Sequence, residues 1–283
     1  MVRAFLVLAA AAAGLVLAAP RPGAAEGSLA GGVLAGLRGA FDFAPGPGAE
    51  GAFVLEDGAR RVVWMRERGR GEPLPGLWAP RALGRDEDGV LLVLEAEPAW
   101  TLVGFRGNRE VWRVPLGGDL LPRSPVALAA RNQVVWVLDR DPPRAFLYAY
   151  GGAGLGWADL AGQARSPFSL ALGAAGEAFV SDPLGPSVLR LSPTGTFLGY
   201  VSLGGSGVTR PTGLAVADGG RVWVSDGVTG RISCFDAPGE GRCRADLPRF
   251  EDPLRLAWAQ GQLWVLEARP GRVRRLAREE PWR

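Results

Sequence analysis

The stretch Pro211–Asp226, PTGLAVADGGRVWVSD, decides the fold, because its pattern returns along the whole chain. The same frame appears as Pro167–Asp182 (PFSLALGAAGEAFVSD), Pro125–Asp139 (PVALAARNQVVWVLD), Pro80–Glu95 (PRALGRDEDGVLLVLE) and Pro253–Glu267 (PLRLAWAQGQLWVLE). A degenerate copy, Phe41–Glu56, opens the series with Phe in place of Pro. The acids that end the six copies lie 39, 44, 43, 44 and 41 residues apart. Self-similarity at such a period marks a repeat architecture.

Each copy reads as two strands joined by a tight turn. Leu83, Leu128, Leu170, Leu214 and Leu256 stand three residues beyond the proline, with Ala44 taking that place in the first copy. Turn signals such as Asp88-Gly89 and Gly219-Gly220 follow. Two residues before each acid comes Val54, Val93, Val137, Val180, Val224 or Val265, preceded by Phe53, Leu92, Trp136, Phe179, Trp223 or Trp264. Apolar residues on both faces suit a strand sandwiched between neighbouring sheets. Third strands are expected near residues 61–65, 101–105, 144–149, 188–191, 231–235 and 272–276. Fourth strands are expected near 111–116, 156–160, 198–203 and 242–247.

Four antiparallel strands per repeat predict an all-β chain folded as a six-bladed β-propeller. The repeat cores fall at 41–65, 80–105, 125–149, 167–191, 211–235 and 253–276. The last copy ends short of a strand, so Ser28–Leu37 is expected to pair onto the sixth blade and close the ring.

Residues 1–25 read as a secretory signal, with Arg3, the apolar run Ala4–Ala18 and a small-residue cleavage site at Gly23–Ala25. An uncleaved anchor is the alternative. Residues 26–283 then form the propeller, periplasmic or secreted, with no further membrane span and a monomeric state expected. All 32 basic residues are Arg, a bias that suits a high-GC bacterial genome. Neither an imidazole base nor a lysine Schiff base is available, and no catalytic set, metal or cofactor is expected. A net charge of +3 gives no reason to expect a nucleic-acid partner. Cys234 and Cys243, nine positions apart, are expected to staple one hairpin as a disulfide.

In four copies the terminal acid is followed five positions later by Arg: Glu56–Arg61, Asp139–Arg144, Asp226–Arg231 and Glu267–Arg272. These pairs flank a short turn and are expected to brace it. With the Pro-x-x-Leu entry, the pattern resembles the NHL repeat, most clearly in Pro211–Phe235. The likeness extends more distantly to regucalcin-like and gluconolactonase-like propellers. Those enzymes imply a channel metal held by Glu, Asn and Asp, but Asn108 and Asn132 both fall in predicted turns. The amidating lyases of NHL type use histidines, which this chain lacks.

A second set of arginines, Arg38, Arg123, Arg165, Arg210 and Arg249, lies in the connections that lead into the next blade. They are candidates to encircle the channel mouth and bind an anion, or else to neutralise the nearby acids. Trp78, Trp100 and Trp258 are the least regular tryptophans and the candidates for an exposed aromatic contact. The expected function is a non-enzymatic extracytoplasmic binding or assembly platform for a protein or anionic glycan partner in the cell envelope. The alternatives are a carboxylate-metal hydrolase of lactonase type and a carbohydrate-binding module that uses exposed Trp.

Overall fold

The structure, a computed structural model, describes residues 32–276 apart from 57, 59, 119, 237–240 and 244–246. Among them, 24 strands form six antiparallel sheets of four. The edge strand β1 (Val33–Ala35) comes first. Blade 1 holds β2–β5 (Ala40–Pro45, Gly51–Glu56, Arg61–Arg66, Gly69–Pro73), and blade 2 holds β6–β9 (Pro80–Arg85, Leu91–Glu95, Thr101–Arg106, Arg109–Pro115). Blade 3 is β10–β13 (Pro125–Arg131, Val134–Arg140, Pro143–Ala149, Gly154–Asp159). Blade 4 is β14–β17 (Ser169–Leu172, Ala178–Asp182, Ser187–Leu191, Phe197–Tyr200). Blade 5 contains β18–β21 (Pro211–Val216, Val222–Asp226, Ile232–Asp236, Gly241–Cys243). Blade 6 contains β22–β24 (Pro253–Ala259, Gln262–Glu267, Arg272–Leu276).

The ring closes as the sequence requires. β1 adds to blade 6 in the order β1-β24-β23-β22, with Val33 opposite Arg274 and Ala35 opposite Arg272. The part of Ser28–Leu37 before Gly32, and the whole candidate signal, lie outside the described residues. Six apolar cores hold the ring, each built between two neighbouring blades. Trp136 and Leu138 of blade 3 pack on Leu170 and Val180 of blade 4. Leu34, Trp264 and Val273 of blade 6 pack on Phe43, Val54 and Val63 of blade 1. The second-strand valines are all fully buried. Burying each large apolar side chain stabilises by roughly 1.5–3 kcal/mol, so the blade interfaces carry the fold. Trp136, Trp223 and Trp264 belong to these interfaces and are shut off from solvent.

One expectation needs correction. Register in blade 1 sets Ala40 opposite Glu56 and Phe43 opposite Val54. The first copy therefore begins at Ala40, and Phe43, rather than Ala44, takes the leucine position. A longer first turn through the 3-10 segment Pro47–Ala49 absorbs the extra residue. Blade 1 also has the fourth strand expected of each repeat, Gly69–Pro73, at a place that no apolar run marks. It forms the outer edge of its sheet and shows mostly exposed residues.

Cys234 and Cys243 face each other across β20 and β21 and form a disulfide, with Cα atoms 5.2 Å apart. No helix among the described residues is long and apolar enough to cross a membrane. The disulfide is consistent with an extracytoplasmic location.

Candidate functional site

Alternation of strand direction gives the ring two faces. The second-to-third-strand hairpins and the blade connectors share one, here the connector face. The first-to-second-strand turns lie on the other, the turn face.

On the connector face each blade buries one carboxylate at the end of its second strand. Glu56, Glu95, Asp139, Asp182, Asp226 and Glu267 are all at most 1% exposed. Asp139 accepts the backbone amides of Arg123 at 2.6 Å and Ser124 at 2.7 Å. Asp182 accepts those of Arg165 at 2.6 Å and Ser166 at 3.0 Å, and also that of Leu184 in its own hairpin. Asp226 joins Thr209 and Arg210 of the connector to Val228 and Thr229 of the hairpin. Glu95 takes the amides of Trp78 and Ala79, and Glu267 that of Glu251. The carboxylate thus clasps the incoming connector to its own blade.

Backbone contacts reinforce the clasp, and glycine permits them. Gly230 and Gly271 have φ of +68° and +83°. A Cβ on either would stand 2.2 Å from the carbonyl oxygen of Phe250 or Leu37 in the adjoining connector. Phe250 N–H donates to Gly230 O, and Leu37 N–H to Gly271 O.

The four acid–Arg pairs divide by side-chain length. Arg61 Nε donates to Glu56 at 2.9 Å and Arg272 Nε to Glu267 at 2.6 Å. Arg70 adds a second guanidinium to Glu56. The two aspartate copies differ from expectation. Asp139 and Asp226, one methylene shorter, spend their oxygens on amides. Arg144 instead lies over the Trp157 ring at 4.8 Å, and the Arg231 backbone amide donates to Thr229. Burial pushes the Asp139 carboxyl above its ordinary value despite the Arg123 and Ser124 amides. At Asp226 burial pushes the same way, but the amides of Thr209, Thr229, Val228 and Arg210 outweigh it and bring the carboxyl below its ordinary value.

Arg38, Arg123, Arg165, Arg210 and Arg249 all have exposed side chains. Arg210 also reaches Gly227 O at 3.1 Å. Trp78 (74% exposed), Leu121, Leu184 and Val228 add exposed apolar groups in the connectors and hairpins of this face. Trp100 is half-buried against the core between blades 2 and 3. Trp258 stacks on Trp223 and donates to Asp218 at 3.2 Å, on the turn face.

The central channel holds a cavity of about 460 Å³ lined by all six inner strands, β2, β6, β10, β14, β18 and β22. None of the five connector arginines lines it, nor do Asn108 and Asn132. Its connector-face end is sealed. Phe41 of blade 1 meets Phe168 of blade 4 across the axis, with ring centres 6.4 Å apart. Beneath them Arg255 of blade 6 spans to Val126 O of blade 3 at 2.9 Å. Its guanidinium carbon lies 4.0 Å from the Phe168 ring centre and 5.0 Å from that of Phe41. Asp42 stands beside it, Nε to Oδ1 3.7 Å, and accepts the amides of Phe43 and Leu83. Burial pushes the Asp42 carboxyl up to about 6 even though Arg255 and both amides pull it down. Burial likewise brings Arg255 down to about 10, with Asp42 opposing and Arg140 assisting. No contiguous stretch of sequence announced this knot, because closure of the ring brings its members together from blades 1, 3, 4 and 6.

Comparison with known proteins agrees with the architecture. A family model described as NHL repeat matches residues 209–235, the copy carried by β18–β20. No curated protein matches the chain. Among solved structures it resembles a candidate gluconolactonase at 16% identity and a TM-score of 0.65, covering 88% of this chain and 92% of that one. It resembles virginiamycin B lyase from Staphylococcus aureus at 11% and 0.59, covering 82% and 78%. Hydrazine synthase of Kuenenia stuttgartiensis follows at 14% and 0.58, covering 82% and 74%. At such identities the likeness is one of fold alone. The chain is a six-bladed β-propeller, and the NHL-repeat match falls on its fifth blade.

Proposed function

We propose that the protein is a non-enzymatic, extracytoplasmic binding platform whose connector face takes an acidic segment of a partner protein. The observation that carries this reading is the division of labour within the connectors. The backbones of Arg123, Arg165 and Arg210 are clamped by buried carboxylates, while their side chains stand in solvent. Those carboxylates already accept backbone amides, which supports a role for the arginine side chains beyond neutralising them. Fixed guanidinium groups suit paired hydrogen bonds to carboxylates. Exposed Trp78, Leu121, Leu184 and Val228 on the same face favour a protein partner over a purely ionic one. A lactonase-type reading would need carboxylates converging on one cation; among the described residues no three acidic side chains do so, and Asp42 faces a guanidinium.

Replacing Arg165 and Arg210 together by Ala tests the reading with a fluorescent poly-glutamate peptide as probe. Affinity should fall about tenfold, roughly 1.4 kcal/mol, and the wild-type affinity should weaken as salt rises. The melting temperature should hold. A lower melting temperature with unchanged peptide affinity would make the arginines structural and end the proposal.

A further inference from the structure

The channel carries chemistry that the connector face does not use. With the connector end sealed by Phe41, Phe168 and Arg255, the cavity is a blind cup. It reaches solvent at the turn face, past the exposed residues Glu87, Asp218 and Gln260. Its wall is a ring of small residues, one per inner strand: Ala44, Gly84, Ala129, Ala171, Ala215 and Ala257. Arg255 forms its floor at 3% exposure. One hydrogen bond, to Val126 O, is made by that guanidinium, while Nε, 3.7 Å from Asp42, and Nη1 are buried without a hydrogen bond.

We propose that the cup is a binding site for a small organic carboxylate, whose oxygens take the unpaired N–H groups of Arg255. A buried donor without a partner is costly, and a planar guanidinium matches a carboxylate in both charge and geometry. The cup's volume falls in the range of small-ligand pockets. The small side chains around the wall leave room for the body of an organic acid. Asp42 beside the guanidinium sets a further limit. Asp42 repels any anion held by Arg255, and it repels a dianion such as phosphate about twice as strongly as a monocarboxylate. The site lies on the far side of the Phe41–Phe168 seal from the connector arginines and does not depend on their role.

The test uses the full chain with 13C-labelled alanine methyls, titrated with benzoate and, separately, with inorganic phosphate. Benzoate should shift the methyls of Ala129, Ala171, Ala215 and Ala257 and reach saturation, with phosphate weaker by tenfold or more. Arg255→Lys should weaken benzoate by at least tenfold, and the Arg165→Ala, Arg210→Ala pair should leave it unchanged. If Arg255→Lys does not fold, the Arg255 Nε–H resonance of the wild type decides, since bound carboxylate must move it. Shifts confined to the outer surface, no saturation, phosphate binding as well as benzoate, or an unmoved Nε–H resonance would each overturn the proposal. Loss of benzoate binding in the Arg165, Arg210 pair would do the same, by placing the anion on the connector face.

Discussion

The six carboxylates that end the second strands and the Asp42–Arg255 pair on the channel floor are almost equally hidden from water. Their surroundings differ in one respect. Asp182 and Asp226 each receive three or more backbone amides. Arg255 has one acceptor for its guanidinium, and its carboxylate neighbour stands 3.7 Å away. A buried charge that is fully hydrogen-bonded locks its neighbours in place, whereas one left short of partners is a cost the fold carries. The repeated acids are therefore read as structure, and the single arginine as the place where the channel was left open to something else.

Breaking a clasp gives the largest expected effect. Asp226→Ala removes acceptors from Thr209, Arg210, Val228 and Thr229 at once. It should cost about 3–5 kcal/mol in urea unfolding, since each orphaned buried donor is worth about 1–3 kcal/mol and some will find water. A loss below about 1 kcal/mol would mean that the amides are solvated and the clasp is incidental.

The pH dependence of Asp42 comes next. Its carboxyl titrates near 6 in the fold against an ordinary 3.8. The native state thus binds its proton more tightly than the unfolded chain does. The charged form is penalised above pH 6, and the penalty fades as pH falls toward 4. Asp226 runs the other way: its lowered value gives stability that is present above its ordinary range and lost as pH falls below it. Measured against Asp42→Asn, the wild type should gain on the order of 2 kcal/mol between pH 7 and pH 4.5. A flat difference across that interval would place Asp42 in a wetter site than the structure gives it.

The same contrast explains what the sequence made legible. Second strands were readable because Val and a large neighbour repeat before each acid. The acid–Arg device was readable in type and only half readable in contact. Glu56 and Glu267 reach their arginines, while the shorter Asp139 and Asp226 turn to the backbone. Side-chain length carried that information and the spacing did not. The channel knot left no such trace. Phe41, Asp42, Phe168 and Arg255 are brought together by closure of the ring, from blades 1, 4 and 6. The longer turn in the first copy also displaced its frame by one residue, hiding that Phe41 and Phe168 hold equivalent places.

The smallest effect is expected where both members of the floor pair are replaced, and it sharpens the contrast most. Met at position 255 keeps an unbranched chain between the Phe41 and Phe168 rings, where a thioether packs well. Leu at position 42 removes the charge that would otherwise be stranded. Trading a buried ion pair for apolar groups of similar volume is often neutral or stabilising. The amides of Phe43 and Leu83 lose their acceptor, which opposes the gain. The double variant Asp42→Leu, Arg255→Met should therefore sit within about 1 kcal/mol of wild type in urea unfolding. Arg255→Met alone should cost more than the double, because Asp42 is then buried without its guanidinium. A double variant several kcal/mol less stable than wild type would show that the pair braces the ring as the clasps do. The distinction between the two sets of buried charge would then be lost.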